Sequence, residues 1–376
     1  MRTLPMTDAE LAAWLRLSLA RGLKPVVLRT LLDAFGLPEA LLGQPFAAIA
    51  AASSEVSARA VLAPPAPGFD EQLAAVLAWR EAPGNQVLTL GDPAYPPTLL
   101  TMPDPPPLLY IKGKLELLHA RSIAVVGSRS ATPQGVEDAG RFARALSDAG
   151  LAVVSGLALG IDAAAHRSAL AGPGSTVAVI GTGADVVYPS ANHQLAHQIA
   201  ATGVIVSEWP LGTPARSAHF PQRNRLIAGL SSGVLIIEAA MRSGSLITAR
   251  LANEMGRDVF AIPGSIHAPL SHGCHRMIKQ GAKLVETPED VLEELGFAIP
   301  AVAPPSLRAP SGIETSLAPE AQQLLDALGH SPATLEILAT RTEMDEARLQ
   351  AALLQLELAG HLSVLPGGRF VRASHG

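Results

Sequence analysis

Hydrophobic positions fall into three regimes along the chain. Over residues 8–43 they recur at helical spacing: Leu11, Trp14, Leu15 and Leu19, then Leu28, Leu31, Leu32 and Phe35. Steps of three and four place such residues on one helix face. Gly22 and Gly36 mark the breaks. The pattern predicts a helical domain over 1–85, with a loop at Ala63–Gly68. Pro93, Pro96, Pro97, Pro103 and Pro105–Pro107 then predict an extended, turn-rich approach to the next domain.

From Arg121 the rhythm changes. Short apolar runs end near glycine and alternate with helical segments. The runs are Ile123–Val126, Ala152–Val154, Val177–Ile180, Val204–Val206, Val234–Ile237 and Val259–Ile262. Helices are predicted near 134–149, 160–171, 192–201, 223–230, 246–255 and 274–280. Strand–helix alternation predicts an α/β domain over 86–298 with a Rossmann-like, doubly wound, mostly parallel sheet. In such sheets ligands collect beyond the carboxyl ends of the strands. A Pro/Ala linker is predicted at 299–315, followed by a small domain at 316–376. Its helices are expected near Pro319–Leu328, Thr334–Thr340 and Asp345–Ala359. A hairpin of Leu362–Leu365 and Arg369–Arg372 around Pro366-Gly367-Gly368 completes a winged helix.

Composition narrows the class. One cysteine, Cys274, excludes a disulfide framework and a cysteine-rich zinc site. Asp8, Glu10, Arg16, Arg21 and Lys24 interrupt the first apolar positions, so no secretory leader is expected, and no apolar stretch suggests a membrane span. The expectation is a soluble cytoplasmic protein with no membrane partner. The net charge of -5 argues against a wholly basic nucleic-acid binder. The charge is uneven, however. Residues 121–258 hold 11 arginines against 9 acids, whereas residues 259–376 hold 8 basic and 13 acidic groups. Phosphates, if bound, are expected at the middle segment.

The turns after the strands carry the candidate chemistry. Gly127-Ser128-Arg129 follows the first run and reads either as an anion-holding turn or as a helix cap with a surface arginine. Ser155-Gly156 opens the second turn, where glycine allows close backbone approach. Asp162 and His166 share a helix face there and read as a general acid–base pair or, preferably, as a structural cap and its partner. Gly181-Thr182-Gly183 is not a dinucleotide fingerprint, so no such cofactor is expected. Arg223-Asn224-Arg225 opens a helix, and Arg242-Ser243-Gly244-Ser245 with Thr248 reads as an anion nest. His267, His272, Cys274 and His275 lack metal-site spacing, and no metal is assigned to them.

Taken in order, Val125–Arg129, Ser155–His166, Gly181–Pro189, Phe220–Ser231, Glu238–Arg250 and Pro263-Gly264 resemble the DNA processing protein A (DprA/Smf) family. The run Tyr95-Pro96 to Pro107–Gly113 resembles the approach to that family's core. The helical N-terminus (SAM or helix-hairpin-helix-like) and the winged helix resemble its accessory domains. The resemblance implies a single-stranded-DNA-binding protein without catalysis or cofactor. It also implies homodimerisation through the Rossmann-like domain, and protection of incoming DNA and its delivery to RecA during natural transformation. It implicates Arg129 and the turn after the third run. That turn often carries lysine or arginine in the family, but here it holds Tyr188 and His193.

The expected DNA-binding set is therefore Gly127, Ser128, Arg129, Ser155, Gly156, Tyr188, His193, Arg223, Asn224, Arg225, Arg242, Ser243, Gly244, Ser245 and Thr248. Arg250 is a further candidate for phosphate. Trp209 and Phe220, with Tyr188, are candidate stacking platforms. The rival reading is a nucleotide-processing enzyme of the LOG type. It is disfavoured because Ser243–Thr248 stands where that enzyme's motif needs a glutamate, and no carboxylate follows until Glu254. The winged helix holds four arginines against seven acids over 316–376, which favours a protein-contact role over DNA binding.

Overall fold

Six helices open the chain: α1–α6 span Asp8–Ser18, Pro25–Phe35, Pro38–Leu42, Phe46–Ala52, Glu55–Leu62 and Phe69–Arg80. The computed structural model describes residues 6–297, 319–328 and 332–373. The expected linker at 299–315 lies outside them. Thr7 starts α1 with a reciprocal capping box to Glu10. Pro25 and Pro38 sit in the first turns of α2 and α3, where a missing N–H costs nothing. Leu11, Trp14 and Leu15 of α1 and Val76 of α6 share one core with Leu108 and Tyr110 of the sheet. The helices therefore belong to the same compact unit as the α/β core, which runs from Met1 to Ala298.

Nine strands form the main sheet, in the order β1-β2-β6-β5-β4-β3-β7-β8-β9. They are Asn85–Thr89, Leu108–Gly113, Ser122–Val126, Ala152–Ser155, Thr176–Val179, Val204–Ser207, Gly233–Ile236, Asp258–Ala261 and Lys283–Leu284 for β1–β9. From β6 through β9 every neighbouring pair is parallel. β1 and β2 add an antiparallel edge. Helices α7–α14 are Pro97–Leu100, Pro133–Asp148, Ile161–Ala169, His193–Thr202, His219–Leu230, Ser245–Glu254, His272–Lys279 and Pro288–Glu294.

The parallel strands read as continuous apolar runs because both faces are covered. Ala124 and Val126 of β3 face a core with Leu226, Ile227 and Ala249, while Ile123 and Val125 face one with Phe142, Ile161 and Ala165. Each such Val or Ile contributes about 1.5–3 kcal/mol by burial. Chain order gives β3, β4, β5 and β6 in one direction, then returns to lay β7 beside β3. The switch point therefore lies between β3 and β7, and a crevice is expected beyond their carboxyl ends.

The second unit is Ile299–Gly376. Its helices α15–α17 are Pro319–Leu328, Leu335–Thr342 and Glu346–Leu358. Its strands β10–β12 (Ala333–Thr334, Leu362–Leu365 and Arg369–Arg372) form a three-stranded sheet in the order β10-β12-β11. The wing turn needs Gly367 and Gly368, both at positive φ. Asp345 caps α17 by accepting the Arg348 N–H at 3.0 Å, which explains an acid at that position.

Candidate nucleic-acid interface

A groove of about 780 Å³ opens at the switch point. Its walls come from the turn after β3 (Gly127–Ser130), from Ala158 and Asp162 after β4, and from the turn after β7 (Ala240–Thr248). Tyr188 and residues 215–227, including the first half of α11, close the far side. Eleven of the expected residues line it: Gly127, Ser128, Arg129, Tyr188, Arg223, Asn224, Arg242, Ser243, Gly244, Ser245 and Thr248.

Three arginines define its charge. Arg129 and Arg242 are exposed at the rim, and Arg223 is buried in the floor at 3% exposure. None of the ion pairs among the described residues involves any of them. Arg223 spends one N–H on the Val179 carbonyl at 2.6 Å, and its Nε is buried without a partner. Burial, helped by repulsion from Arg129, pulls its pKa down to about 10, while Asp162 opposes this. The side chain still carries its charge at neutral pH. Arg129 lies over the Phe220 ring, 5.0 Å from its centroid. Phe220 in turn meets Tyr188 at 5.8 Å, and Tyr188 is 47% exposed. Cation and aromatic faces thus share one wall.

The acids that could have neutralised Arg129 are otherwise engaged. Asp162 accepts the N–H groups of Gly156 and Ala158 at 3.1 and 3.3 Å. Burial raises its pKa despite these bonds and the Arg223 charge. Glu238 accepts the N–H and hydroxyl of Thr132 at the head of α8. His166 does not pair with Asp162. Its Nε2 accepts the Leu157 N–H at 3.2 Å and its Nδ1 meets the Thr176 hydroxyl at 2.7 Å. That hydroxyl donates to the Val153 carbonyl, so Nδ1 carries the proton. Burial pushes the His166 pKa down to about 3. The ring is a structural post for Leu157, a non-glycine residue held at φ 58. Asn192 holds the same turn by donating to the Leu157 and Ala158 carbonyls at 2.9 and 3.1 Å. Such a conformation costs about 1–3 kcal/mol and persists where neighbours over-determine it.

Four expected residues do not line the groove. Ser155 is fully buried, and its hydroxyl donates to the Val125 carbonyl, stapling β4 to β3. Gly156 makes room for a side chain rather than a ligand. A Cβ there would lie 1.8 Å from an Arg223 guanidinium nitrogen. His193 is exposed at the start of α10 and pairs with His197. Arg225 points away from the groove into a buried ion pair with Glu208, and also donates to the Asp104 carbonyl at 2.7 Å. The reason is helix phase: residues two apart sit on opposite faces. Arg250 is not among the groove residues either and faces Glu254, one turn on.

Trp209 stacks one face on His219, with ring centroids 3.6 Å apart, and is not among the groove residues. The nest after β7 is also less open than expected. The N–H groups of Ser245, Leu246 and Ile247 are already bonded, to the Ser243 hydroxyl and the Ser243 and Gly244 carbonyls. Hydroxyls are what that turn offers. Ser130, Ala215 and Ser217 also line the groove and carry no sequence signal beyond proximity to a turn.

The family model for DNA recombination-mediator protein A matches residues 86–296. The chain belongs to this family. A DprA winged-helix model matches residues 307–368. Protein Smf of Escherichia coli is 41% identical over 305 residues, covering 80% of this chain and 81% of the relative. DNA processing protein DprA of Streptococcus pneumoniae is 52% identical over 206 residues, 55% of this chain and 73% of the relative. A crystal structure of DprA from S. pneumoniae superposes with a TM-score of 0.65 at 40% identity, over 77% of this chain and 99% of that one. A structure of DNA processing protein A from Helicobacter pylori, described by its single-stranded-DNA binding mode, matches with a TM-score of 0.52 at 32% identity. It covers 56% of this chain and 95% of that one. No helix among the described residues is long and apolar enough to cross a membrane.

Proposed function

We propose that this chain binds single-stranded DNA in the switch-point groove and acts as a recombination mediator without turnover. The observation that carries the reading is the convergence of Arg129, Arg223 and Arg242, none of them ion-paired, beside the Tyr188–Phe220 aromatic pair. Arginine forks take phosphate oxygens, and a ring face takes any base, which suits a strand bound without regard to sequence. The H. pylori relative's described single-strand binding supports the same assignment. Further roles follow from family membership: shielding of incoming DNA, loading of RecA during natural transformation, and a homodimer built through the Rossmann-like domain in the cytoplasm.

The enzyme reading has less support. His166, one helical turn from the groove acid Asp162, has both ring nitrogens occupied beneath the floor. Fluorescence anisotropy with labelled oligonucleotides at two salt concentrations tests the proposal. Single strands are expected to bind tighter than duplex, with a log–log salt slope of about -2, or about -0.7 for each of three phosphates neutralised. Equal affinity for duplex, or a slope near zero, removes the assignment.

A further inference from the structure

The head of α10 carries a feature that the groove does not use. His193 and His197 stand one helical turn apart, both exposed. Their Nε2 atoms are 3.3 Å apart, and the ring centroids are 4.5 Å apart at 59°. Each ring's hydrogen bond and ring contact, among the described residues, are with the other. The remaining residues of α10 are uncharged, so no cation on this helix competes for the position.

The spacing, now bridged by one shared proton, is one that a chelate can take over once that proton leaves. Zinc–imidazole bonds are about 2.0–2.1 Å, and two of them meeting at the tetrahedral angle hold their nitrogens about 3.3–3.4 Å apart. The right angle of an octahedral ion would need about 2.8–3.0 Å at the same bond lengths. We propose that His193 and His197 form a two-histidine binding site for a borderline divalent transition ion, zinc above all, with water in the two remaining positions. The all-nitrogen donor pair disfavours magnesium and calcium, which take oxygen. Among the described residues no group of three possible ligands exists. The site is therefore an open, exchangeable one and not a structural closure of the fold. The positive end of the helix dipole opposes a cation here and keeps the affinity moderate. His272 and His275 are less available, since they already bond the Ile266 and Gly264 carbonyls through Nε2, and the exposed His267 has no second imidazole one helical turn away.

The site borders the strand groove in sequence, through Asn192 and the Tyr188 turn, but does not depend on DNA binding. Tag-free full-length chain titrated with zinc chloride alone, by calorimetry in a non-chelating buffer, tests it directly. One zinc per chain is expected, and none of comparable affinity with magnesium. His193→Gln and His197→Gln should each weaken uptake at least about tenfold, the lower edge of what losing even a supporting partner costs a metal site. The double variant should be little worse than either single one, and His275→Gln should bind as the wild type does. Both substituted positions are exposed on a helix that glutamine favours, so unchanged melting is expected. Absence of zinc uptake by the wild type, or uptake that survives both substitutions, overturns the proposal.

Discussion

The two faces of α11 use the same residue type for opposite ends. On one face Arg223 reaches the groove floor with no ion-pairing carboxylate. On the other Arg225 is locked to Glu208 and to the backbone of Asp104. Both are buried, at 3% and 7% exposure. The difference lies in compensation. A buried charge in direct contact with its counter-charge holds the structure together, whereas Arg223 feels Asp162 only from beyond ion-pair distance and keeps an unbonded Nε, which leaves it able to take a further acceptor. Burial therefore does not separate the structural arginine from the one proposed to bind DNA, and the identity of the neighbours does.

Arg225→Ala gives the largest expected effect. It strands the Glu208 carboxylate, whose pKa burial already raises to about 7. Chemical denaturation should show a loss of about 3–5 kcal/mol, the usual cost of breaking a buried pair from one side. The fraction that remains folded should keep its strand affinity. Lost affinity at unchanged stability would return Arg225 to the groove.

Arg129→Ala should do the reverse. Its side chain is exposed and free of ion pairs, so melting should stay put while strand binding weakens by about 1.5–3 kcal/mol. Arg129→Lys should recover part of this, because an ammonium cannot reproduce the planar fork. The salt slope of Arg129→Ala should also shrink by about 0.7. A drop in melting temperature with intact binding would make Arg129 a structural residue.

His166 adds a pH signature to the floor. Its pKa is lowered to about 3 in the fold, while an unfolded histidine titrates near 6.5. Below about pH 6.5 the unfolded chain binds a proton that the folded chain refuses. The stability contributed by neutral His166 is thus complete above that pH and is lost as pH falls toward 3. The loss is at most about 1.4 kcal/mol per pH unit. His166→Gln should flatten this part of the stability curve between pH 6.5 and 5, measured by urea titration. Parallel curves for variant and wild type would mean that His166 titrates in the fold as it does in the unfolded chain.

The smallest expected effect is that of removing residues 311–376. The unit carries four arginines against seven acids over 316–376, and strand affinity should change little or rise slightly. Abolished binding by a still-folded residue 1–310 chain would shift the interface to the winged helix.

Much of this is legible in the sequence. The six inner strands were visible as apolar runs because both sheet faces are buried, and the winged-helix hairpin because its glycines sit between two short β patterns. The groove followed from the rule that ligands lie past strand ends. Three things were hidden, each for a physical reason. The β1–β2 edge was masked by the prolines around it, although Leu108–Ile111 is apolar. The merging of the N-terminal helices with the sheet depends on Trp14 and Tyr110 finding a common core, which no local pattern encodes. The division of labour between Arg223 and Arg225 required knowing which acids each helix face meets, since helix phase alone says only that the two diverge.

Hydrogen exchange with and without a short single-stranded oligonucleotide tests the central claim most directly. Added DNA is expected to slow exchange in peptides covering 127–130, 188 and 240–248, the walls of the groove. The segment around Glu208 on the far face of α11 and the unit at 319–373 should be unaffected. Protection confined to the winged-helix unit, or none around Arg129 and Arg242 at saturating DNA, would contradict the account.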